Sequence, residues 1–262
     1  MSHPEITAEN VTQLFPDVVQ PLHPSNDPST ATPVAELAGA DEEQTRLMNE
    51  MCIIVDDDEN EIGMASKAEC HLLKNINRGL VHRAFSVLLF DSQNRLLLQR
   101  RASEKVTWPD YWTNTCCSHP LAIPGETGAD FHTAMQGARR AARRKLDHEL
   151  GIKLTDEQAQ SELKFMTRMQ YGCAFEDGVW GENEVTYIFL LPLDTALNIN
   201  ENEIRDYKYL SREEFAAMYR DTSQPFTPWF KHMVREFLPD WWAALEQGEL
   251  ERCMNDPKHY RF

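Results

Sequence analysis

Apolar and polar positions follow different rhythms along this chain, and each rhythm predicts an element. MCIIV (51–55) is a continuous apolar run that breaks at the acidic stretch DDDENEIG, the form of a buried strand closed by a turn. HRAFSVLLFDSQNRLLLQRR sets two apolar runs around the turn-forming DSQN and predicts a β-hairpin. The period then changes: Ala134, Ala138, Ala141, Ala142 and Leu146 recur at helical spacing, and Gly151 stops the helix. LKFMTRMQYGCAF and EVTYIFLLPL read as further strands linked by EDGVWGE. DEEQTRLMNE, SREEFAAMYRD and WFKHMVREFLPDWWAALEQGEL read as helices, with a Pro-rich break at SQPFTPWF. Strands on either side of a central helix, with more helix after them, give an α/β or α+β sandwich. Residues 1–40 are rich in Pro, Ser, Thr and Ala and show only a short periodic patch at VTQLF, so we expect a flexible N-terminal extension and a single domain over 41–262.

Charge and cysteine usage narrow the function classes. The formal net charge is -16, from 42 acidic against 26 basic residues, and a nucleic-acid tracker needs the opposite sign. There is no apolar run of membrane-spanning length and no basic-then-apolar leader, which points to a cytosolic protein. Six cysteines without a secretion signal fit a reducing compartment, and no paired CxxC knuckles suggest a zinc ribbon.

The stretch TNTCCSHP (113–120) concentrates reactive residue types between turn formers, open to reading as a metal clip, half a disulfide or a thiol site. His71, His82 and His119 with Glu182 and Glu184 form a candidate set for a five- or six-coordinate divalent cation, because carboxylates two apart in a strand project from one face. ENE recurs at 59–61 and at 201–203, where ENEIRD reads as a solvated turn. Arg100, Arg101 and Lys105 lie near the cysteines, and RRAARRKLDHELG lays five basic residues on one helix. Such a concentration suits a diphosphate, or simply a solvated helix face, and the second reading is favoured for most of those arginines.

That helix resembles the Nudix box, keeping Arg144, Leu146 and Glu149 before Gly151 and Ile152. Lys145 and His148 replace glutamates, Gln136 stands at the upstream glutamate position and Asp130 at the first glycine, which disfavours pyrophosphate hydrolysis. HRAFSVLLF, LLLQRR, WPDYWTNTCCSHP, the box ending in HELG, WGENE and TPWF together resemble the type I isopentenyl diphosphate isomerases, in order and over roughly Met51 to Phe237. The resemblance implies a Nudix-like α/β fold and the interconversion of isopentenyl and dimethylallyl diphosphate. It also implies Cys117 and Glu184 as acid/base groups on opposite sides of the substrate, Tyr171 bonded to the acidic carboxyl, and Trp229 facing the developing cation. The implied metal ligands are His71, His82, His119, Glu182 and Glu184, with Glu149 holding a second Mg²⁺ bridged by substrate; Mn²⁺ or Zn²⁺ are alternatives at the histidine site. Lys67, Arg101 and Lys105 match diphosphate contacts, with Lys145 a further candidate, and Cys116 is expected to be a bystander. The alternatives are a pyrophosphohydrolase and a non-catalytic diphosphate-binding Nudix domain.

Overall fold

A computed structural model describes residues 5–20 and 34–262. The chain begins with a short helix, α1 (Val11–Leu14), followed by α2 (Glu42–Met48), which Asp41 caps by accepting from Gln44 N at 3.0 Å. The apolar run forms β1 (Met51–Val55), buried throughout, and the acidic turn returns the chain as β2 (Glu61–Ser66). Ser66 then caps α3 (Lys67–His71), and α4 (Leu73–Ile76) leads into β3 (Val81–Phe90). The predicted hairpin is β3 with β4 (Leu96–Arg101); short strands β5 (Trp112–Thr113) and β6 (Cys116–Ser118) carry the cysteine stretch. After the long helix α5 (Phe131–Leu150) come α6 (Asp156–Glu162), β7 (Lys164–Ala174) and β8 (Gly181–Pro192). The chain closes with β9 (Ile204–Leu210), α7 (Arg212–Arg220), α8 (Pro228–Glu236), α9 (Leu238–Glu246) and β10 (His259–Arg261).

These elements fall into two compact units. One comprises the described residues up to Phe85, His119–Ala141 and Gln170–Thr186. There β1 pairs antiparallel with β2 (Met51↔Ser66 to Ile54↔Gly63) and with the start of β3 (Ile54↔His82). The segment expected to be a flexible extension is partly built into this unit. Val11, Phe15 and Val18 are buried with Cys52, Ile54, Ile62, Ala65, Cys70 and Leu80, and Val19 bridges to Met64. Gly63 makes room for it, since a Cβ there would stand 2.6 Å from Val18 Cγ1. VTQLF presents Val11, Leu14 and Phe15 to one side, and that apolar side supplies the contact a purely compositional reading discounts. Residues 1–4 and 21–33 of the expected extension lie outside the described residues.

The second unit comprises Ser86–Ser118, Ala142–Met169 and Tyr187–Phe262. β4 is its centre, paired with β9 from Leu96↔Leu210 to Arg101↔Ile204 and with β5 at Gln99↔Thr113. The stretch read as a solvated turn, ENEIRD, thus runs into a paired strand. α5 ends where predicted: Gly151 has φ +69 and any Cβ would sit 2.9 Å from Asn198 O, so glycine is required there. β8 neighbours β3 in the sheet. Asn183 Nδ2 donates to Leu80 O at 3.1 Å and Leu193 N to Phe90 O at 2.9 Å, so partner numbers rise together and the two strands run parallel. With the antiparallel pairs this makes a mixed sheet, as expected for the α/β class.

Candidate functional site

His71, His82, His119 and Glu182 offer ligand atoms that all lie within 4.8 Å of one another, and all four residues are buried. Four elements deliver them: α3 ends on His71, β3 begins beside His82, His119 follows β6, and Glu182 lies at the start of β8. The imidazole centroids form a near-equilateral triangle with sides of 4.7, 4.9 and 4.8 Å. His71 Nε2 approaches Glu182 Oε2 at 2.9 Å, and His119 Nε2 approaches Glu184 Oε2 at 3.3 Å. Glu182 and Glu184 do share a strand face, as their spacing predicts.

The donor chemistry fits a divalent cation. His71 Nδ1 lies 2.6 Å from Lys67 O, and a carbonyl only accepts, so Nδ1 carries the hydrogen and Nε2 is turned toward the carboxylates as a potential ligand. His82 is fully buried, yet neither ring nitrogen has a hydrogen-bond partner; its Nε2 stands 3.6 Å from Glu184 and 3.8 Å from Glu182. A buried imidazole at such distances from two carboxylates leaves a gap of the kind that a coordinated ion fills. Burial lowers the His82 pKa to about 4, so the ring is neutral and its lone pair available at neutral pH. Burial, reinforced by the charge of Glu182, raises the Glu184 carboxyl above its ordinary range. Tyr171 OH donates to Glu184 Oε1 at 2.7 Å and opposes that rise, while burial and the Glu184 charge push the phenol well up. The phenol therefore stays a donor. Cys173, not singled out by sequence, has its thiol held protonated by burial and by Glu182 and Glu184.

Of the other candidates, Lys67 opens α3 in the first unit and the rest lie in the second. Cys116 is fully buried on β6, whereas Cys117 is partly exposed, as adjacent strand residues face opposite ways. Burial and the nearby Glu149 charge push the Cys116 thiol well up, leaving it inert. The residues around the cysteines act as a scaffold. Thr113 Oγ1 accepts from Trp229 Nε1 at 2.9 Å and from Thr227 Oγ1 at 2.8 Å, and donates to Asn114 Oδ1 at 3.0 Å. Asn114 Nδ2 in turn donates to Cys116 O at 2.9 Å and Val87 O at 3.1 Å, and Thr115 Oγ1 donates to Leu97 O at 2.6 Å. Turn propensity suggested none of this; TNT is a hydrogen-bonded clamp across strands.

Arg101 donates to the carbonyls of Thr107 and Trp108 through Nε and Nη2, and its guanidinium carbon lies 5.6 Å over the Trp229 ring. Trp108 meets the same indole edge-on at 5.3 Å. Lys105 Nζ lies 2.8 Å from Glu203 Oε2; Lys145 Nζ lies 3.1 Å from Glu149 Oε1 and 3.5 Å from the same Glu203 oxygen. Gln99 Nε2 holds the other Glu149 oxygen at 3.1 Å. Glu203 is 2% exposed, so the ENE at 201–203 ends inside the protein rather than in a solvated turn. Its sequence context is strongly polar, and only the pairing of β9 with β4 buries it. The helix arginines make structural contacts rather than the solvated face expected for most of them: Arg139, buried, bonds Gln136, Arg140 bonds Gly125 O, and Arg143 bonds Leu154 O and Asp156.

The NUDIX domain family matches residues 80–230. The isopentenyl-diphosphate delta-isomerase of Aspergillus fumigatus is 52% identical, with 95% of this chain and 93% of the relative covered. The chain belongs to the isopentenyl-diphosphate delta-isomerase family. The enzyme of Schizosaccharomyces pombe is 50% identical over 79% of this chain and 90% of its own, and the mouse isopentenyl-diphosphate Delta-isomerase 1 is 46% identical over 78% and 89%. A solved structure from Deinococcus radiodurans, DR0079, superposes with a TM-score of 0.50 at 14% identity, covering 72% of this chain and all of that one, a likeness of fold alone. Within the family the degenerate box acquires meaning: Lys145 and His148, where a Nudix hydrolase would carry glutamates, lie 3.1 Å apart beside Glu149 on α5.

Proposed function

We propose that this chain interconverts isopentenyl and dimethylallyl diphosphate by moving a proton onto one carbon and another proton off the neighbouring allylic carbon. Like the isopentenyl-diphosphate delta-isomerases it resembles, it acts on a small diphosphate. The single observation that carries the reading is the buried constellation in which three imidazoles and Glu182 converge while Tyr171 fixes Glu184. Protonating the terminal alkene carbon leaves a tertiary cation; loss of a proton from the allylic carbon then completes the shift, with no net change in atoms or electrons. Glu184, its carboxyl raised by burial, holds a proton that Tyr171 orients, and Cys117 is the second proton-transfer group. Trp229 offers its indole to the developing cation, a contact contributing about 2 kcal/mol when desolvated.

His71, His82, His119, Glu182 and Glu184 are the ligands we assign to one divalent ion, with Glu149 for a second, Mg²⁺ being the preferred metal and Mn²⁺ or Zn²⁺ the alternatives at the histidine site. The first supplies a rigid positive centre that fixes the carboxylates; the second shares the charge of a diphosphate. Lys67, Arg101 and Lys105 bind that diphosphate. Residues 41–262 carry the catalytic residues, in a monomeric, cytoplasmic protein feeding isoprenoid and sterol biosynthesis. Among the described residues no helix is long and apolar enough to cross a membrane, and the charge of -16 disfavours nucleic acid.

The test is turnover of isopentenyl diphosphate with Mg²⁺ in deuterated water. Dimethylallyl diphosphate carrying deuterium in a methyl group is expected; release of phosphate instead would mark a pyrophosphohydrolase, and binding without turnover a non-catalytic domain. Cys117→Ala should abolish incorporation, whereas Cys116→Ala should retain it. Unchanged incorporation in Cys117→Ala removes the role given to that thiol.

A further inference from the structure

α3 and α4, which lead from β2 to the strand bearing His82, are each about one turn long and cannot hold a shape alone. Asn75, buried on α4, ties them. Its Nδ2 donates to Glu69 O at 2.9 Å and to Glu69 Oε2 at 2.8 Å, two residues before His71. A carbonyl only accepts, so the amide nitrogen is fixed on that side. The main-chain O of Asn75 accepts from Leu80 N at 3.2 Å, two residues before His82. Leu80 O in turn accepts from Asn183 Nδ2 at 3.1 Å, and Asn183 stands between Glu182 and Glu184. A parallel stitch runs from Leu73 N to Val179 O at 2.8 Å, beside the Leu72↔Trp180 bridge, and joins the end of α3 to the residues before Glu182. One run of bonds, from Glu69 through Asn75 and Leu80 to Asn183, thus links three of the elements that deliver the buried imidazoles and carboxylates.

We infer that Asn75 is a positioning residue of the histidine and glutamate metal site, with Asn183 its counterpart on β8: together they fix the backbone from which His71, His82, Glu182 and Glu184 project. This rests on the metal reading above. The candidate ligand atoms lie within 4.8 Å of one another, and a cation holds such a set only if each ring and carboxylate is aimed before it binds. His71 and His82 reach that cluster from different elements, so their relative placement depends on the chain between them. Asn75 sets it with its two ends, the side chain on the His71 arm and the carbonyl on the His82 arm. A buried amide can do this because Glu69 O and Oε2 occupy its nitrogen at once. Asn75 acts through the histidines, not on the ion.

The test is Zn²⁺ affinity of the full chain, stripped of metal and titrated against a chelating competitor. Asn75→Ala should bind about tenfold or more weakly than wild type, the usual cost of losing an outer-shell partner. The visible spectrum of bound Co²⁺, which reports ligand number and geometry, should change with it. Asn183→Ala leaves Asn75 in place and removes only the link to Leu80, so it should weaken Zn²⁺ in the same direction and carries the test if Asn75→Ala does not fold. Asn75→Asp sets a carboxylate against Glu69 and should bind at least as weakly as Asn75→Ala; adding Glu69→Gln returns a donor to the pair and should recover part of the loss, which a packing defect would not allow. Zn²⁺ affinity within about twofold of wild type in both folded alanine variants overturns the inference, even where urea denaturation shows lost stability, since Asn75 is then merely structural. His82→Gln is the control: a wild-type chain that binds Zn²⁺ no better than this variant sinks the metal reading itself, and the inference with it.

Discussion

Replacing Thr113 by valine removes one hydroxyl while keeping the side-chain shape, at a position with no solvent exposure. Three groups lose their partner at once: Trp229 Nε1, Thr227 Oγ1 and Asn114 Oδ1, bonded to Thr113 Oγ1 at 2.9, 2.8 and 3.0 Å. Each buried polar group left unsatisfied costs about 1–3 kcal/mol, and the Thr227 hydroxyl can turn elsewhere. A loss of about 3–4 kcal/mol follows, a large share of the ~5–15 kcal/mol that holds a typical domain folded. Thr113→Ser keeps the oxygen and deletes a buried methyl, for about 1 kcal/mol. Urea denaturation of both variants measures the difference directly. The same change frees the indole and, through Asn114, the carbonyl of Cys116, so kcat should fall about tenfold or more in Thr113→Val and stay near wild type in Thr113→Ser. If valine and serine variants differ by less than about 1 kcal/mol, the clamp is not the unit described here.

Two further outcomes are expected. Tyr171→Phe removes the 2.7 Å bond that favours ionised Glu184, so the limb of the pH–rate profile that Glu184 governs should move up by about one unit, and a superimposable profile would refute the link. In the metal-free chain His82 titrates at about 4 when folded against 6.5 as its ordinary value, so the unfolded chain binds more protons between those values. The stability tied to neutral His82 is then fully present above pH ~6.5 and lost as pH falls toward 4, about 3 kcal/mol in all. Metal affinity should weaken over the same window. His82→Gln should flatten the acid dependence of stability relative to wild type and lose the metal, read by denaturation against pH and by metal analysis; equal slopes in the two proteins contradict the assignment.

Local pattern was enough for the elements that contain their own stop signals. The α5 helix ends at Gly151 because only glycine fits beside Asn198 with that backbone, and the Ser66 and Asp41 caps are written in neighbouring residues. Glu182 and Glu184 facing together follows from strand periodicity, and the family was legible because six motifs keep their order. Other features depend on partners distant in sequence, which no local rhythm reports. VTQLF looks like part of a polar tail until Val11 and Phe15 meet Cys52 and Ile54. Thr113 becomes a clamp only when Trp229 arrives from 116 residues away. Glu203 reads as solvent-exposed by composition and is buried because β9 pairs with β4 and brings it to Lys105, 98 residues upstream. Sequence by itself determined which residue types could do the chemistry and the elements that carry them; tertiary structure decided which polar side chains are desolvated, because burial, and with it the strength of every charge and hydrogen bond, is a property of the assembled packing.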